Sequence, residues 1–117
     1  MALARTDLTA VTQIGMASTQ AIVTVSAGQT CYVKSIIIHN CSSTAINNAN
    51  IYVVPNSGGS AGTANTTNQI FNVDVYAGET VLIEPSYPVV IDSTGDTVQV
   101  GTGLTTINFL ITGDKEA

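Results

Sequence analysis

The chain has 117 residues, enough to bury a core as one domain without a metal ion or a disulfide. Charged residues make up only 9% of it, and three basic residues against eight acidic ones give a net charge of −5. This balance argues against nucleic-acid binding, and no apolar run approaches the roughly 18 residues of a membrane span. Residues 1–7 lack the long apolar core of a signal peptide, so we expect folding in a cytoplasm.

Residues 1–19 carry only weak hydrophobic patterning. Thr9, Val11, Gln13 and Gly15 alternate with their neighbours well enough for a marginal strand at most. We therefore expect an extended N-terminal arm, which either becomes ordered on a neighbouring subunit or stays disordered.

Residues 20–117 are predicted to form the folded domain. Runs rich in β-branched residues recur along them, each bounded by turn residues, at 20–25, 30–40, 50–54, 69–76, 80–84, 89–91, 97–101 and 105–112. Phe71, Val73 and Val75 alternate with Asn72 and Asp74, which is the period of a sheet with one solvated face. No segment shows a convincing helical period. The sequence therefore predicts an all-β fold, a single β-sandwich of about eight antiparallel strands of jelly-roll or immunoglobulin-like kind.

Three turns share a short motif in which glycine precedes an acid or amide and then a threonine that begins a strand. The motif lies at residues 28–30, 78–80 and 95–97. Glycine takes the positive φ that a tight turn demands, so the motif predicts repeated turn chemistry, with an ancient duplication as the alternative. Residues 55–68 have no periodicity and are predicted to form a long surface loop, and residues 113–117 a solvated tail.

Cys31 and Cys41 bracket the strand predicted at residues 30–40. At about 3.3 Å per residue their Cα atoms lie roughly 30 Å apart, whereas a disulfide needs a separation below about 7 Å. We therefore expect two reduced, partly buried thiols.

Several predicted strands carry apolar residues on both faces. In the run 30–40, simple alternation places Val33 and Ile37 on one face and Tyr32, Ile36 and Ile38 on the other. A lone sandwich needs one apolar face per strand, so the second face indicates either a strand covered by loops or a subunit interface. The low charge content favours an oligomer. We expect the interface to use the arm residues 1–13 and the loop at residues 55–68, together with these strands. The candidate interface residues are Leu3, Leu8 and Val11 of the arm, Ser60 of the loop, and Ile36, Ile38, Leu82 and Leu110 of the strands.

Motifs that would carry chemistry are incomplete. The G-x-S-x-G pattern around Ser60 works only at a strand-to-helix turn, and its loop-like flanks predict no helix. His39 is the only histidine, and together with Cys31 and Cys41 it leaves a zinc ion without a fourth ligand. Asp92 and Asp96 are too few for calcium and are expected to accept hydrogen bonds from turn amides. Sugar binding would rely on four tyrosines without any tryptophan, and packing is the simpler interpretation. We predict no enzyme activity, no catalytic residue, no metal and no cofactor.

Short stretches of the chain resemble small β-sandwich structural proteins of tailed bacteriophages. They are AGQT at 27–30, VKSI at 33–36, SSTA at 42–45, IYVVP at 51–55, GSAG at 59–62, IFNV at 70–73, AGETVLIE at 77–84 and GDTVQV at 95–100. The resemblance covers roughly residues 20–112 and leaves the N-terminal arm unmatched. These stretches are mostly turns and core strands, so they indicate the fold and a virion context more than one role.

The resemblance implies a virion structural protein, assembled in the host cytoplasm, with no catalytic residues. Within a virion it implies a capsid decoration (cement) protein that bridges subunits of the major capsid protein. Such a protein is expected to be a homo-oligomer, a dimer or a trimer. The alternatives are a tail or adaptor component, or a carbohydrate-binding module carried on a tail.

Overall fold

The computed structural model describes residues 3–15, 18–103 and 106–116, and for residues 3–7 the backbone alone. Within these ranges the chain contains ten strands and no helix. No helix of the described residues is long and apolar enough to cross a membrane. The strands are β1 (Leu3–Asp7), β2 (Thr12–Ile14), β3 (Thr19–Thr24), β4 (Thr30–Asn40), β5 (Asn47–Val54), β6 (Gln69–Val75), β7 (Thr80–Ile83), β8 (Val89–Ile91), β9 (Thr97–Thr102) and β10 (Ile107–Glu116).

The strands form two antiparallel sheets, which confirms the predicted β-sandwich. The six-stranded sheet has the order β1-β10-β4-β7, with β2 also pairing with β10 and β8 with β4. The four-stranded sheet has the order β3-β9-β5-β6. Strands β4 and β8 begin and end where the sequence predicts, because turn residues bound both runs.

Side chains from both sheets meet in one apolar core. The six-stranded sheet contributes Ile107, Phe109 and Ile111 of β10, and the four-stranded sheet contributes Val98 and Val100 of β9; each is at most 1% exposed. Their burial is the main source of stability, at about 25 cal/mol per Å² of apolar surface removed from water. Alternate residues of β10 therefore point inward, which leaves Asn108, Leu110 and Thr112 on the outer face.

The N-terminal segment differs from the predicted arm. In this structure β1 and β2 pair with β10 of the same chain, and Leu8 is buried and donates its backbone N–H to the carbonyl of Ile111 at 2.9 Å. The reason is that β4 covers only one edge of β10, so the backbone groups along its other edge need partners. Residues 1–2 and 16–17 of the predicted arm lie outside the described residues.

The expectation of a solvated tail at residues 113–117 is wrong for the described part. Strand β10 continues to Glu116, and Gly113 and Asp114 are buried. These polar residues are held by long-range pairing with β1 on one side and β4 on the other. Ala117 lies outside the described residues.

A β-bulge in β4 overturns the predicted division of its faces. Thr112 pairs with Ser35 while Gly113 pairs with Val33, so Lys34 is an extra residue in the ladder. The extra residue reverses the alternation, and Val33 and Ile36 both point into the core despite their odd spacing. Ile36 is 3% exposed, and Ile38 is fully buried as well. Both are core residues, which corrects their assignment as interface candidates.

The three glycine turns share one geometry, as their common motif predicts. Gly28, Gly78 and Gly95 have φ values of 76°, 72° and 90°. In each turn the residue after glycine donates its N–H to the carbonyl three positions earlier, in the pairs Gln29 to Ser26, Glu79 to Tyr76 and Asp96 to Ser93. The repeat therefore reflects one recurring turn that starts β4, β7 and β9.

Asp96 anchors the long loop between β5 and β6. Its Oδ1 accepts hydrogen bonds from the backbone N–H of Asn56 at 2.8 Å and from the Asn56 side chain at 3.0 Å, and its Oδ2 accepts one from the Ser93 N–H. Farther along the loop, the Gly62 carbonyl accepts a hydrogen bond from the Gln99 side chain of β9 at 3.0 Å. The surface loop predicted at residues 55–68 is thus present and is held against the four-stranded sheet.

Asp96 should make the fold sensitive to acid. Burial raises the pKa of this carboxyl, but the hydrogen bonds from Asn56 and Ser93 outweigh burial and hold the pKa below its ordinary value. A depressed folded-state pKa adds stability above the unfolded-state pKa, near 4, and that stability is lost as pH falls through the lower folded-state value. Asp96→Asn should lower the free energy of unfolding by about 1 to 2 kcal/mol at neutral pH. The urea midpoint of this variant should also fall less than that of the wild type as the pH is lowered into the acid range. Asp92→Asn removes a carboxyl from the same turn and is the control; equal profiles for both variants would contradict the anchoring role.

The two cysteines are free, as expected, but they differ in exposure. Cys31 is buried and burial raises the pKa of its thiol, partly opposed by Lys115, whereas Cys41 lies exposed just beyond β4. Because the thiolate is the reactive form, we expect one fast-reacting thiol in the native protein when it is titrated with a disulfide reagent. Cys41→Ser should abolish the fast phase and Cys31→Ser should preserve it. A fast phase that survives Cys41→Ser would show that Cys31 is accessible.

Candidate interaction surface

Four apolar side chains form a continuous row across the outer face of the six-stranded sheet. Ile37 pairs with Leu82 of β7 on one side and with Leu110 of β10 on the other. Val11 immediately precedes Thr12, the partner of Phe109, so it continues the same register. Cross-strand neighbours have Cβ atoms about 5 Å apart, which brings these residues into one outer apolar row: Leu82, Ile37, Leu110 and Val11.

The outer apolar row is open to solvent in this chain. Leu82 is 58% exposed and Val11 is 64% exposed, while Ile37 and Leu110 between them are half-buried. Toward Val11, the row and the adjoining Asn108 and His39 enclose a shallow depression of about 170 Å³. A depression of this size can take one apolar side chain of a partner.

Polar side chains border the row on both sides. On one side His39 Nδ1 is 2.9 Å from the Thr80 hydroxyl, and Gln13 donates to Asn108 at 3.1 Å. On the other side the Ser35 and Thr112 hydroxyls are 2.6 Å apart, and exposed Glu84 follows β7. An apolar centre within a polar rim is the usual anatomy of a protein–protein interface.

The structure brings together three of the eight predicted interface residues, namely Val11, Leu82 and Leu110. Leu8 is only 8% exposed, and Ser60 is exposed on the loop between β5 and β6. Leu3 pairs with Glu116 through its backbone, and its side chain lies outside the described ones.

Ile37 is the member of the row that sequence reasoning left out of the interface set. Simple alternation grouped it with Val33, and the bulge at Lys34 separates the two. The sequence signal that could have identified Ile37 was its position between two isoleucines in a long strand. Neighbours in a strand face opposite sides, so one of these apolar faces had to point away from the core.

The incomplete catalytic motifs stay apart in the fold. Ser60 lies on a loop between strands of the four-stranded sheet, whereas His39 lies on the six-stranded sheet and pairs with Thr80. Asp96 accepts hydrogen bonds from turn amides, as the sequence predicts. Over the described part of the chain, no group of three or more His, Cys, Asp or Glu residues is placed to hold a metal ion.

The outer face of the four-stranded sheet is different in chemistry. Asn48 of β5 donates to Asn72 and Asp74 of β6 at 2.9 and 3.1 Å. Asn50 accepts from Gln69 at 2.6 Å and from Asn72 at 2.7 Å. These side chains form a cross-strand amide cluster, and its members hydrogen-bond mainly to one another.

The exposed tyrosines offer no obvious platform for a sugar. Tyr76 and Tyr87 are 61% and 85% exposed, but they lie beyond opposite ends of β7. Tyr32 is half-buried and donates its hydroxyl to Glu116 at 3.1 Å. The apolar row is therefore the more distinctive surface of the described chain.

Comparison with known proteins shows where the fold occurs elsewhere. No protein-family model and no curated protein matches the chain. Solved structures do match, and the first is a chain of the T13 viral particle of infectious bursal disease virus, with a TM-score of 0.54 and 8% identity over 97% of this chain and 30% of that chain. The chain shares the fold of part of that viral protein.

Two further solved structures come from the same virus. The Gx strain structure has a TM-score of 0.47 at 10% identity, and the VP2 subviral particle has 0.43 at 12% identity. Both matches cover 97% of this chain and 31% and 32% of the respective viral chains. The chain thus spans about a third of the length of the solved chains that it matches, and at these identities the likeness concerns the fold alone.

Proposed function

We propose that the chain is a structural protein of a virion and, within it, a capsid decoration (cement) protein that bridges subunits of the major capsid protein. The observation that carries the proposal is the outer apolar row with its polar rim, on a sandwich whose fold is shared with part of a viral-particle chain. The resemblance to small structural proteins of tailed bacteriophages supports the same role. Assembly would take place in the host cytoplasm.

Burial of the row supplies the driving force for binding. Each Å² of apolar surface removed from water contributes about 25 cal/mol, so four partly exposed side chains give a modest gain at one site. An assembly repeats that gain over many copies, which turns modest contacts into durable attachment. The low charge content helps, because a surface with few charges pays little for being desolvated.

The same surface supports self-association into a dimer or a trimer. A symmetric dimer places the same patch of both subunits in contact, and an apolar row that crosses the whole sheet can pack against its own copy. Self-association would then bury the row within the oligomer, and capsid binding would use what remains exposed of the outer face of the six-stranded sheet.

The test measures both properties on the purified full-length chain. Light scattering should show a stable dimer or trimer, and the same sample should pellet with undecorated capsid shells. A monomer that ignores shells would overturn the cement proposal. Binding to purified tails in place of shells would assign the protein to the tail or an adaptor. Saturable binding to host glycans, without binding to shells or to tails, would favour the carbohydrate-binding alternative.

A substitution tests the surface better than truncation of the N-terminal segment. Removing residues 1–13 would take away β1 and most of β2, and with them the backbone partners along one edge of β10. Loss of binding after that truncation would therefore mix the loss of an interface with damage to the sheet.

A further inference from the structure

A second site lies on the same sheet, beyond the bulge in β4. Asp114 of β10 has a side chain that is 6% exposed, and its Oδ2 is 2.5 Å from the Nζ atom of Lys34. Its other oxygen, Oδ1, is buried and has no hydrogen-bond partner among the described residues. An unpartnered carboxylate oxygen away from water is costly, so this atom stands ready for a donor.

A pocket of about 210 Å³ adjoins this carboxylate. It is lined by Tyr32, Lys34, Pro88, Asp114 and Glu116. Glu116 accepts a hydrogen bond from the Tyr32 hydroxyl at 3.1 Å, which fixes a second carboxylate and an aromatic ring around the opening. The pocket therefore combines two carboxylates, one of them incompletely paired, with a flat ring.

The local field favours a cation. The hydrogen bond to Glu116 raises the pKa of the Tyr32 hydroxyl, and the nearby charges of Asp92 and Asp114 raise it further. Three carboxylates thus act on one hydroxyl, and Lys34 is the one described cation paired with any of them. Lys34 is itself 47% exposed, so it can yield room to an incoming group.

We propose that this pocket binds a guanidinium group, presented as an arginine side chain of another protein chain. A guanidinium carries five donors in a plane, enough to reach Asp114 Oδ1 and the Glu116 carboxylate together while stacking on Tyr32. It is more weakly hydrated than an ammonium ion and enters a buried site at lower cost. A metal ion fits less well, because no group of three or more His, Cys, Asp or Glu residues among those described could hold one.

Arg5 is the competing source of this group within the chain. The register places it directly opposite Asp114 on β1. The proposal assigns the pocket to an external arginine, and the experiment separates the two sources. The proposed guanidinium site does not depend on whether the protein belongs to a virion.

The probe is methylguanidinium chloride, titrated into the ¹⁵N-labelled full-length chain, with sodium chloride at equal ionic strength as the reference. We expect saturable amide shifts at Tyr32, Lys34, Asp114 and Glu116, and at least a tenfold weaker dissociation constant in Asp114→Asn. Glu116→Gln keeps the test decisive should Asp114→Asn fail to fold, since it removes the second carboxylate near the strand end. Glu79→Gln, in a distant turn, should bind as the wild type does.

Three outcomes would overturn the proposal. Identical amide shifts with sodium chloride and with methylguanidinium chloride would reduce the effect to ionic screening. Equal affinity in Asp114→Asn and the wild type would remove Asp114 from the site. Binding that occurs only in Arg5→Ala would show that the chain's own Arg5 fills the pocket.

Discussion

Replacing Leu82 with lysine is expected to weaken self-association and shell binding at least about tenfold while the fold is kept. Leu82 stands in the outer apolar row beside Ile37, and a partner that buries the row would have to bury an unpaired ammonium group. Because the side chain is 58% exposed in the free chain, lysine can point into solvent there without disturbing the core. Light scattering and co-sedimentation measure the two effects, and the urea midpoint confirms the fold.

Ile70→Lys is the matched control for this substitution. Ile70 is 54% exposed, nearly the same as Leu82, but it lies on β6 of the four-stranded sheet. The Ile70→Lys substitution introduces the same ammonium group on the opposite side of the sandwich and should leave self-association and shell binding unchanged. If the two variants lose association equally, the outer apolar row is not the interface and general surface charge is the cause.

Replacing Gly113 with alanine is expected to lower the free energy of unfolding by about 3 kcal/mol, a cost at the upper end for overpacking. A Cβ atom at this position would overlap the carbonyl oxygen of Tyr32, and it would lie 3.1 Å from the backbone nitrogen of Lys34. These are backbone atoms of the bulge, so they cannot turn aside as a flexible side chain does. The strands β10 and β4 would have to separate at the centre of the six-stranded sheet, which urea denaturation would report as a lower midpoint.

Gly15→Ala provides the comparison for this variant. A Cβ at Gly15 meets nothing within 4 Å, and the residue is exposed. The change should stay within about 0.5 kcal/mol of the wild type. Equal stability of both variants would mean that Gly113 is not in close contact with the bulge.

The strands that sequence reasoning located well are those whose signal is local. Strands β4 and β8 are β-branched runs bounded by turn residues, and the glycine motif marks the start of β4, β7 and β9. The end of β10 has no such signal. Gly113 and its polar successors look solvated in isolation and are ordered by strands that lie far away in the sequence.

The candidate interaction surface was predictable in part, because part of its signal is also local. Alternation places Leu82 and Leu110 on a second apolar face, and Val11 is an apolar residue of the predicted arm. Their alignment into one row with Ile37 depends on the register between four strands, which no local pattern encodes. The bulge at Lys34 lies inside an uninterrupted strand, so the division of inner and outer residues in β4 could not be read from spacing.

The pairing of β1 with β10 also decides how the protein can be extended. Leu3 lies opposite Glu116, and paired Cα atoms of antiparallel strands are only about 5 Å apart. A peptide fused before β1 and another fused after β10 would therefore emerge from the same corner of the sandwich. In an assembly of many copies, every copy would present both fusions side by side, and a short linker across this corner would suffice for a circular permutant.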